Sequence, residues 1–243
     1  MNGPQRADGR LVASAAEDDS NSTYFRLRDL IVDGSLAPGA RIVESRLAER
    51  LEVSRRSLRL ALQRLEQEGF LERDDRTGRR SRPVVSPLTR SDGRELFDLL
   101  GALEGLAARR AARLPGSHRH KLVDTLQSLN RALQPESDEG RPSPDTCLDL
   151  DAEFHRTLVE ASAGPRLRRL HRAFHPQAER YGRFYLSPRT EAVDRPGGEH
   201  EPILDTIRVG DAEAAEAAAE RCWRRTGRRM GQRIAQAGER GGW

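Results

Sequence analysis

Apolar side chains at Tyr24, Leu27, Leu30 and Ile31 keep helical spacing and stop at Gly34, where the turn Ala37-Pro38-Gly39 follows. Leu47, Ala48 and Leu51 share one face of a shorter helical stretch from Glu44 to Leu51. Glu52-Val53-Ser54 makes a tight turn into a third stretch, ended by Gly69, in which Leu58, Leu62 and Leu65 form an apolar stripe with Ala61 beside it. Ser54 is a good N-cap, and Arg55, Arg56 and Arg59 cluster in the turns just after it. The period then changes. Phe70-Leu71-Glu72-Arg73 and Arg82-Pro83-Val84-Val85 flank a polar tip from Asp74 to Arg80, which predicts a β-hairpin. Three helices and a wing predict a winged helix-turn-helix domain over residues 20–86, with a linker near Ser86-Pro87.

From Ser91 onward the apolar period is helical almost throughout, in stretches 91–113, 117–134, 145–162, 165–186, 199–209 and 211–236. Pro115-Gly116, the segment from Pro135 to Pro144, Gly164-Pro165 and the segment from Ser187 to Gly198 interrupt it. An all-α bundle of six or seven helices over 88–236 is the simplest account, so the fold class is mainly α. Residues 1–19 are small and polar and show no sustained apolar period, which predicts a disordered tail.

Charge sharpens this picture by its location. The chain has 243 residues and a formal net charge of only +4, with Lys121 its one lysine. Residues 20–86 hold fourteen arginines against ten acidic residues, and residues 52–64 hold four arginines and one glutamate. A helix that buries leucines and leads with arginines suits end-on entry into the DNA major groove, where guanidinium groups reach guanine O6 and N7. Two cysteines far apart, Cys147 and Cys222, argue against a disulfide framework and for a reducing, cytoplasmic setting. No apolar run is long enough for a membrane span.

In the second domain, Asp151 and His155 lie four residues apart and share a helix face. His200 and Cys222 are each eleven residues from Asp211, which with Gly210 marks the turn between the last two helices. At ~1.5 Å rise per residue both side chains reach one level of an antiparallel hairpin, roughly 16 Å from the turn. Asp151, His155, His200 and Cys222 are therefore candidate ligands of one divalent metal, and the thiolate favours zinc. His171 and His175 are also four apart, but His175 precedes Pro176 and no other ligand residue pairs with that face, which assigns them to surface or interdomain packing. His118 and His120 are expected in solvent.

The strings Gly34-Ser35-Leu36-Ala37-Pro38-Gly39, Leu47-Ala48, Val53-Ser54-Arg55 and Leu62-Gln63-Arg64-Leu65-Glu66-Gln67-Glu68-Gly69-Phe70 resemble the GntR family of bacterial transcription factors. Leu96-Phe97-Asp98-Leu99 with Leu103-Glu104, Asp151-Ala152-Glu153-Phe154-His155, and Glu199-His200 leading to Gly210-Asp211-Ala212-Glu213-Ala214 resemble the effector domain of its FadR-like branch. The resemblance implies DNA contacts at Ser54, Arg55, Arg56 and Arg59, with Gly78 and Arg79 in the wing near the minor groove. It implies a homodimer on a pseudo-palindromic operator and a small-molecule effector, with a carboxylic acid as the implied class. In metal-binding relatives the four ligands are Asp, His, His and His, so Cys222 departs from the pattern. Leu100 stands where relatives usually have arginine, and Gly164 where they usually have asparagine. Arg56-Ser57 and Leu60 differ from the usual reading helix, which implies a different operator sequence.

The expected function is thus a DNA-binding regulator, a repressor released by an effector, and not an enzyme. Two alternatives follow from the same residues. One is a constitutive dimeric regulator with a degenerate effector and metal site. The other, remote, is a metal-dependent hydrolase, disfavoured because four protein ligands fill the zinc shell and no general base stands out.

Overall fold

The computed structural model describes residues 8–74, 82–134, 142–185 and 197–241. The described chain forms two compact units, one of residues 1–88 with 240–243 and one of residues 89–239.

The first unit contains α1 (Asp8–Val32), α2 (Glu44–Leu51), α3 (Arg55–Gln67), β1 (Leu71–Asp74) and β2 (Arg82–Val85). Tyr24, Leu27 and Ile31 of α1 pack with Leu47, Ala48 and Leu51 of α2 and with Leu58, Ala61, Leu62 and Leu65 of α3. Phe70, Leu71 and Val85 close that core from the hairpin side. The hairpin pairs antiparallel, from Leu71 against Val85 to Asp74 against Arg82, and Arg41 bridges to Val84 on its other edge. The reversal between α2 and α3 is made at Glu52, a non-glycine residue at φ 55°, whose N–H and that of Val53 return to the carbonyls of Glu49 and Ala48. That left-handed geometry costs an L-residue about 1 kcal/mol.

Helix α1 begins at Asp8, inside the stretch 1–19 expected to be disordered. Ala13, Ala15, Ala16 and Glu17 are good helix formers, and extending an already nucleated helix carries no further nucleation cost. A search for an apolar stripe misses such a segment.

The second unit contains α4 (Arg90–Ala112), α5 (Gly116–Leu133), α6 (Pro144–Ser162), α7 (Pro165–Tyr185), α8 (Gly197–Val209) and α9 (Ala212–Ala237). Its helices start where side chains accept the first free N–H groups: Thr89 from Asp92, Ser143 from Thr146 ahead of Pro144, and Asp211 from Ala214. Ala108, Ala111 and Ala112 of α4 meet Ala215, Ala218 and Ala219 of α9 in a core completed by Leu126, Phe154, Leu158, Ile203 and Ile207. Three glycines let α4 and α9 approach closely. A Cβ at Gly101 would lie 3.3 Å from the Trp223 Cβ, one at Gly105 3.2 Å from the Glu220 Cγ, and one at Gly227 3.1 Å from the Phe97 Cβ. No helix among the described residues is long and apolar enough to cross a membrane.

Candidate DNA-reading helix and buried polar chamber

Helix α3 separates its two faces as its sequence dictates. Leu58, Ala61, Leu62 and Leu65 are buried, while Ser54, Arg55, Arg56 and Arg59 are exposed. Ser54 caps the helix, its Oγ accepting the Ser57 N–H at 3.0 Å. Ser57 is buried, and its hydroxyl bonds Ser54 and donates to Asp19, so it holds the helix start rather than facing outward. Arg59 pairs with Glu44 of α2 at 2.9 Å, an exposed ion pair of small energetic weight that a phosphate can displace. Arg64, exposed on the same helix, lies over the Tyr24 ring, 3.6 Å from its centroid, and pairs with Glu68. Gly78 and Arg79 lie outside the described residues.

In the second unit, α6 brings Asp151 and His155, α8 brings His200, and α9 brings Cys222. Gly210, at φ +83°, turns α8 into α9. Ligand atoms of His155, His200 and Cys222 lie within 4.8 Å of one another, all three residues buried. Asp151 faces the same point, with Oδ1 3.3 Å from His200 Nε2 and Oδ2 3.9 Å from His155 Nε2. Its side chain stays 29% exposed, which leaves the chamber one open side.

The hydrogen bonds behind these ligands fix their lone pairs. Asn130 Nδ2 donates to Glu201 Oε1 at 2.7 Å, so the Asn130 Oδ1 is the atom 3.1 Å from His200 Nδ1. An amide oxygen only accepts, so His200 Nδ1 carries the proton and Nε2 carries a lone pair. That Nε2 is buried without a hydrogen-bond partner, and the group opposite it is a carboxylate oxygen. Two electron-rich atoms 3.3 Å apart in a buried site match the spacing of neighbouring ligands in a tetrahedral zinc shell, roughly 3.3 Å for bonds near 2 Å. Phe154 stacks on the His200 ring at 3.9 Å and holds its plane. The donor set Asp, His, His and Cys therefore fits a zinc ion.

Glu104, on α4 and fully buried, binds His155 Nδ1 at 2.6 Å through one oxygen and His171 Nε2 at 2.9 Å through the other. This corrects the expectation that His171 and His175 serve surface or interdomain packing. Both are buried, on the face of α7 turned toward Glu104, and His175 lies 5.9 Å from the His155 ring. The signal was present in the i, i+4 spacing; its missing partner was a carboxylate 67 residues earlier in the chain. Asn130 was missed for the same reason. His118 and His120 are exposed as expected. Leu100, where a guanidinium was looked for, is fully buried. Arg156 pairs with Glu153, and Arg183 with Asp149 at 2.6 Å, so neither replaces it.

Burial alone would raise the Glu104 pKa, but His155 and His171 outweigh it and hold the carboxyl well below its usual range. Burial would lower His155, yet the charge and hydrogen bond of Glu104 lift it from 6.5 to about 9. Burial pulls His171 and His200 down and pushes the Cys222 thiol well up. In metal-free protein the raised His155 contributes stability that is complete below about pH 6.5 and is lost as pH rises through about 9. The depressed His171 and His200 work oppositely and cost stability as pH falls below the usual imidazole range. Metal-free protein is thus expected to be most stable near neutrality. Glu104→Gln should flatten the alkaline arm of melting temperature against pH, and an unchanged arm would disprove the His155–Glu104 coupling.

Comparison with known proteins agrees with both halves of the chain. Residues 20–80 match the family described as "Bacterial regulatory proteins, gntR family", and residues 95–225 match the FCD domain. The HTH-type transcriptional regulator YdhC of Bacillus subtilis (strain 168) is 26% identical over 79% of this chain and 82% of its own length. A protein of Paenarthrobacter nicotinovorans described as "Probable D-xylose utilization operon transcriptional repressor" is 28% identical over the same shares of the two chains. Among solved structures, E. coli McbR/YncC superposes with a TM-score of 0.68 at 18% identity, covering 89% of this chain and 98% of its own. A GntR transcriptional regulator of Rhodococcus sp. RHA1 gives 0.63 at 21% identity, covering 87% and 96%. With a winged DNA-binding domain followed by a helical FCD domain, the chain belongs to the GntR family of bacterial transcriptional regulators, in its FadR-like branch.

Proposed function

We propose that this regulator is a homodimeric repressor that reads a pseudo-palindromic operator through Ser54, Arg55, Arg56 and Arg59, assisted by Gly78 and Arg79 of the wing. The observation that carries the reading is the exposure of three arginines on the first turns of α3 while the leucines of the same helix are buried. The D-xylose operon repressor among the relatives supports the negative sign of control. Exposed Leu99 and Leu106 of α4 and Leu170 of α7 supply apolar surface for a second copy. Footprinting on the protein's own upstream region tests the proposal: two protected half-sites about one helical turn apart are expected, and an unprotected region refutes it.

Release would follow from a small molecule that favours the state unable to bind DNA, with coupling commonly ~1–3 kcal/mol. In this reading zinc would be held by Asp151, His155, His200 and Cys222, and only by expanding to a fifth position would it supply a Lewis acid for a carboxylate or other oxygen donor of the effector. The buried, tautomer-fixed His200 facing a carboxylate supports an intact site over the constitutive alternative. Asn130→Ala, which removes the acceptor for His200 Nδ1–H, is expected to weaken zinc binding roughly 10- to 100-fold. Competition with a chromophoric chelator measures this, and an unchanged affinity would exclude His200 as a ligand.

A further inference from the structure

We propose that Glu104, His171 and His175 form a second metal site, distinct from the Asp151–His155–His200–Cys222 centre, that takes a divalent transition metal such as zinc. Their ligand atoms lie within 4.8 Å of one another, and the three residues are 0%, 2% and 6% exposed. His171 and His175 sit one turn apart on α7, ring centroids 4.7 Å apart, and Glu104 meets them from α4.

The geometry within the cluster is close to a coordination shell. Glu104 Oε1 and His171 Nε2 are 2.9 Å apart, and neighbouring ligands around tetrahedral zinc are roughly 3.3 Å apart, so entry of an ion moves them by a few tenths of an ångström. The ion takes the place of the Nε2 proton of His171, and the ring stays neutral by taking up a proton at Nδ1. His175 is oriented as metal-bound histidines usually are: its Nδ1 is 3.1 Å from Glu179 Oε1, which leaves Nε2 as the ligating atom. Glu104 and Glu179 together offset the two positive charges of the ion, and three protein donors leave one tetrahedral position for solvent.

Packing gives an independent reason. Two imidazoles buried side by side against one carboxylate form a costly polar core that an apolar pair would replace at lower free energy. The first centre needs only the Glu104–His155 bond to orient its ligand, so His171 and His175 have no work there. Glu104 would thus serve both sites, one oxygen behind His155 and the other on the second ion.

The test is a cobalt(II) titration of the full-length, metal-free protein. About two equivalents per chain are expected, one with a thiolate-to-cobalt charge-transfer band from Cys222 and one without. His171→Gln/His175→Gln is expected to bind about one equivalent and keep the band, with circular dichroism showing a folded chain. Wild-type stoichiometry in that variant overturns the proposal. So does loss of the band together with the equivalent, which would make the cluster a support for the first centre. His175→Gln alone, which leaves the Glu104–His171 bond intact, decides the matter by the same readouts should the double variant misfold. A wild-type titration with no thiolate band refutes the Cys222 centre and leaves the second site to be judged by its own equivalent.

Discussion

Replacing Arg55 and Arg56 together by alanine is expected to weaken operator binding by about 30-fold to 2 × 10⁴-fold at constant salt, with no fall in melting temperature. Each arginine that bonds a guanine edge contributes roughly 1–3 kcal/mol of discrimination, and two such losses give that range. The absence of a stability cost follows from exposure, since the buried leucine face of α3 is untouched. Fluorescence anisotropy with operator and scrambled duplexes separates base reading from phosphate attraction. A base-reading arginine lowers the preference between the two duplexes, whereas a phosphate-binding arginine lowers both affinities and reduces the salt slope. Affinities within twofold of wild type would remove α3 from the role of reading helix.

The second large effect is expected at Glu104. Alanine there strips the acceptor from His155 and His171 at once and opens a void where the carboxylate sat. Breaking a buried charged pair by removing one partner costs about 3–5 kcal/mol. For a chain of this size that lowers the melting temperature on the order of 10 °C. The DNA-binding unit does not contain Glu104, so calorimetry of the full chain should show the transition of residues 89–239 moving down while that of residues 20–86 stays in place. Glu104→Gln keeps the shape and one acceptor oxygen, so it should cost clearly less. Equal losses for alanine and glutamine would mean that packing rather than charge sets the role of this position.

Much of this architecture was readable along the chain because it is made of local signals. The leucine period of α3, the cap at Ser54, the turn at Gly210-Asp211 and the glycine stop at Gly69 each act within a few residues. Element boundaries followed within a residue or two, from 91–113 expected against Arg90–Ala112 found to 211–236 against Ala212–Ala237. The convergence of Asp151, His155, His200 and Cys222 was legible too, because helix rise and one turn at Gly210 suffice to place α8 against α9. Glu104, Asn130 and the histidines of α7 were not. Their roles exist only through partners 51, 70 and 67 residues away, and no periodicity encodes which helices of a bundle become neighbours. Residues 8–19 lie in helix α1 without the apolar stripe that a sequence reader looks for.

The glycines at 101, 105 and 227 set a limit on how an effector signal can move through this domain. Where α4 and α9 touch, each of these glycines faces the base of a side chain on the other helix, and sliding one helix past the other drives Trp223, Glu220 or Phe97 toward backbone. That seam behaves as a fixed hinge plate. Motion provoked inside the chamber is left to α6, α7 and α8, whose contacts there run through flexible polar side chains. A methyl group added at Gly227, which usually firms up a helix, would here require Phe97 to give by a few tenths of an ångström, so its effect on stability reads how rigid this plate is.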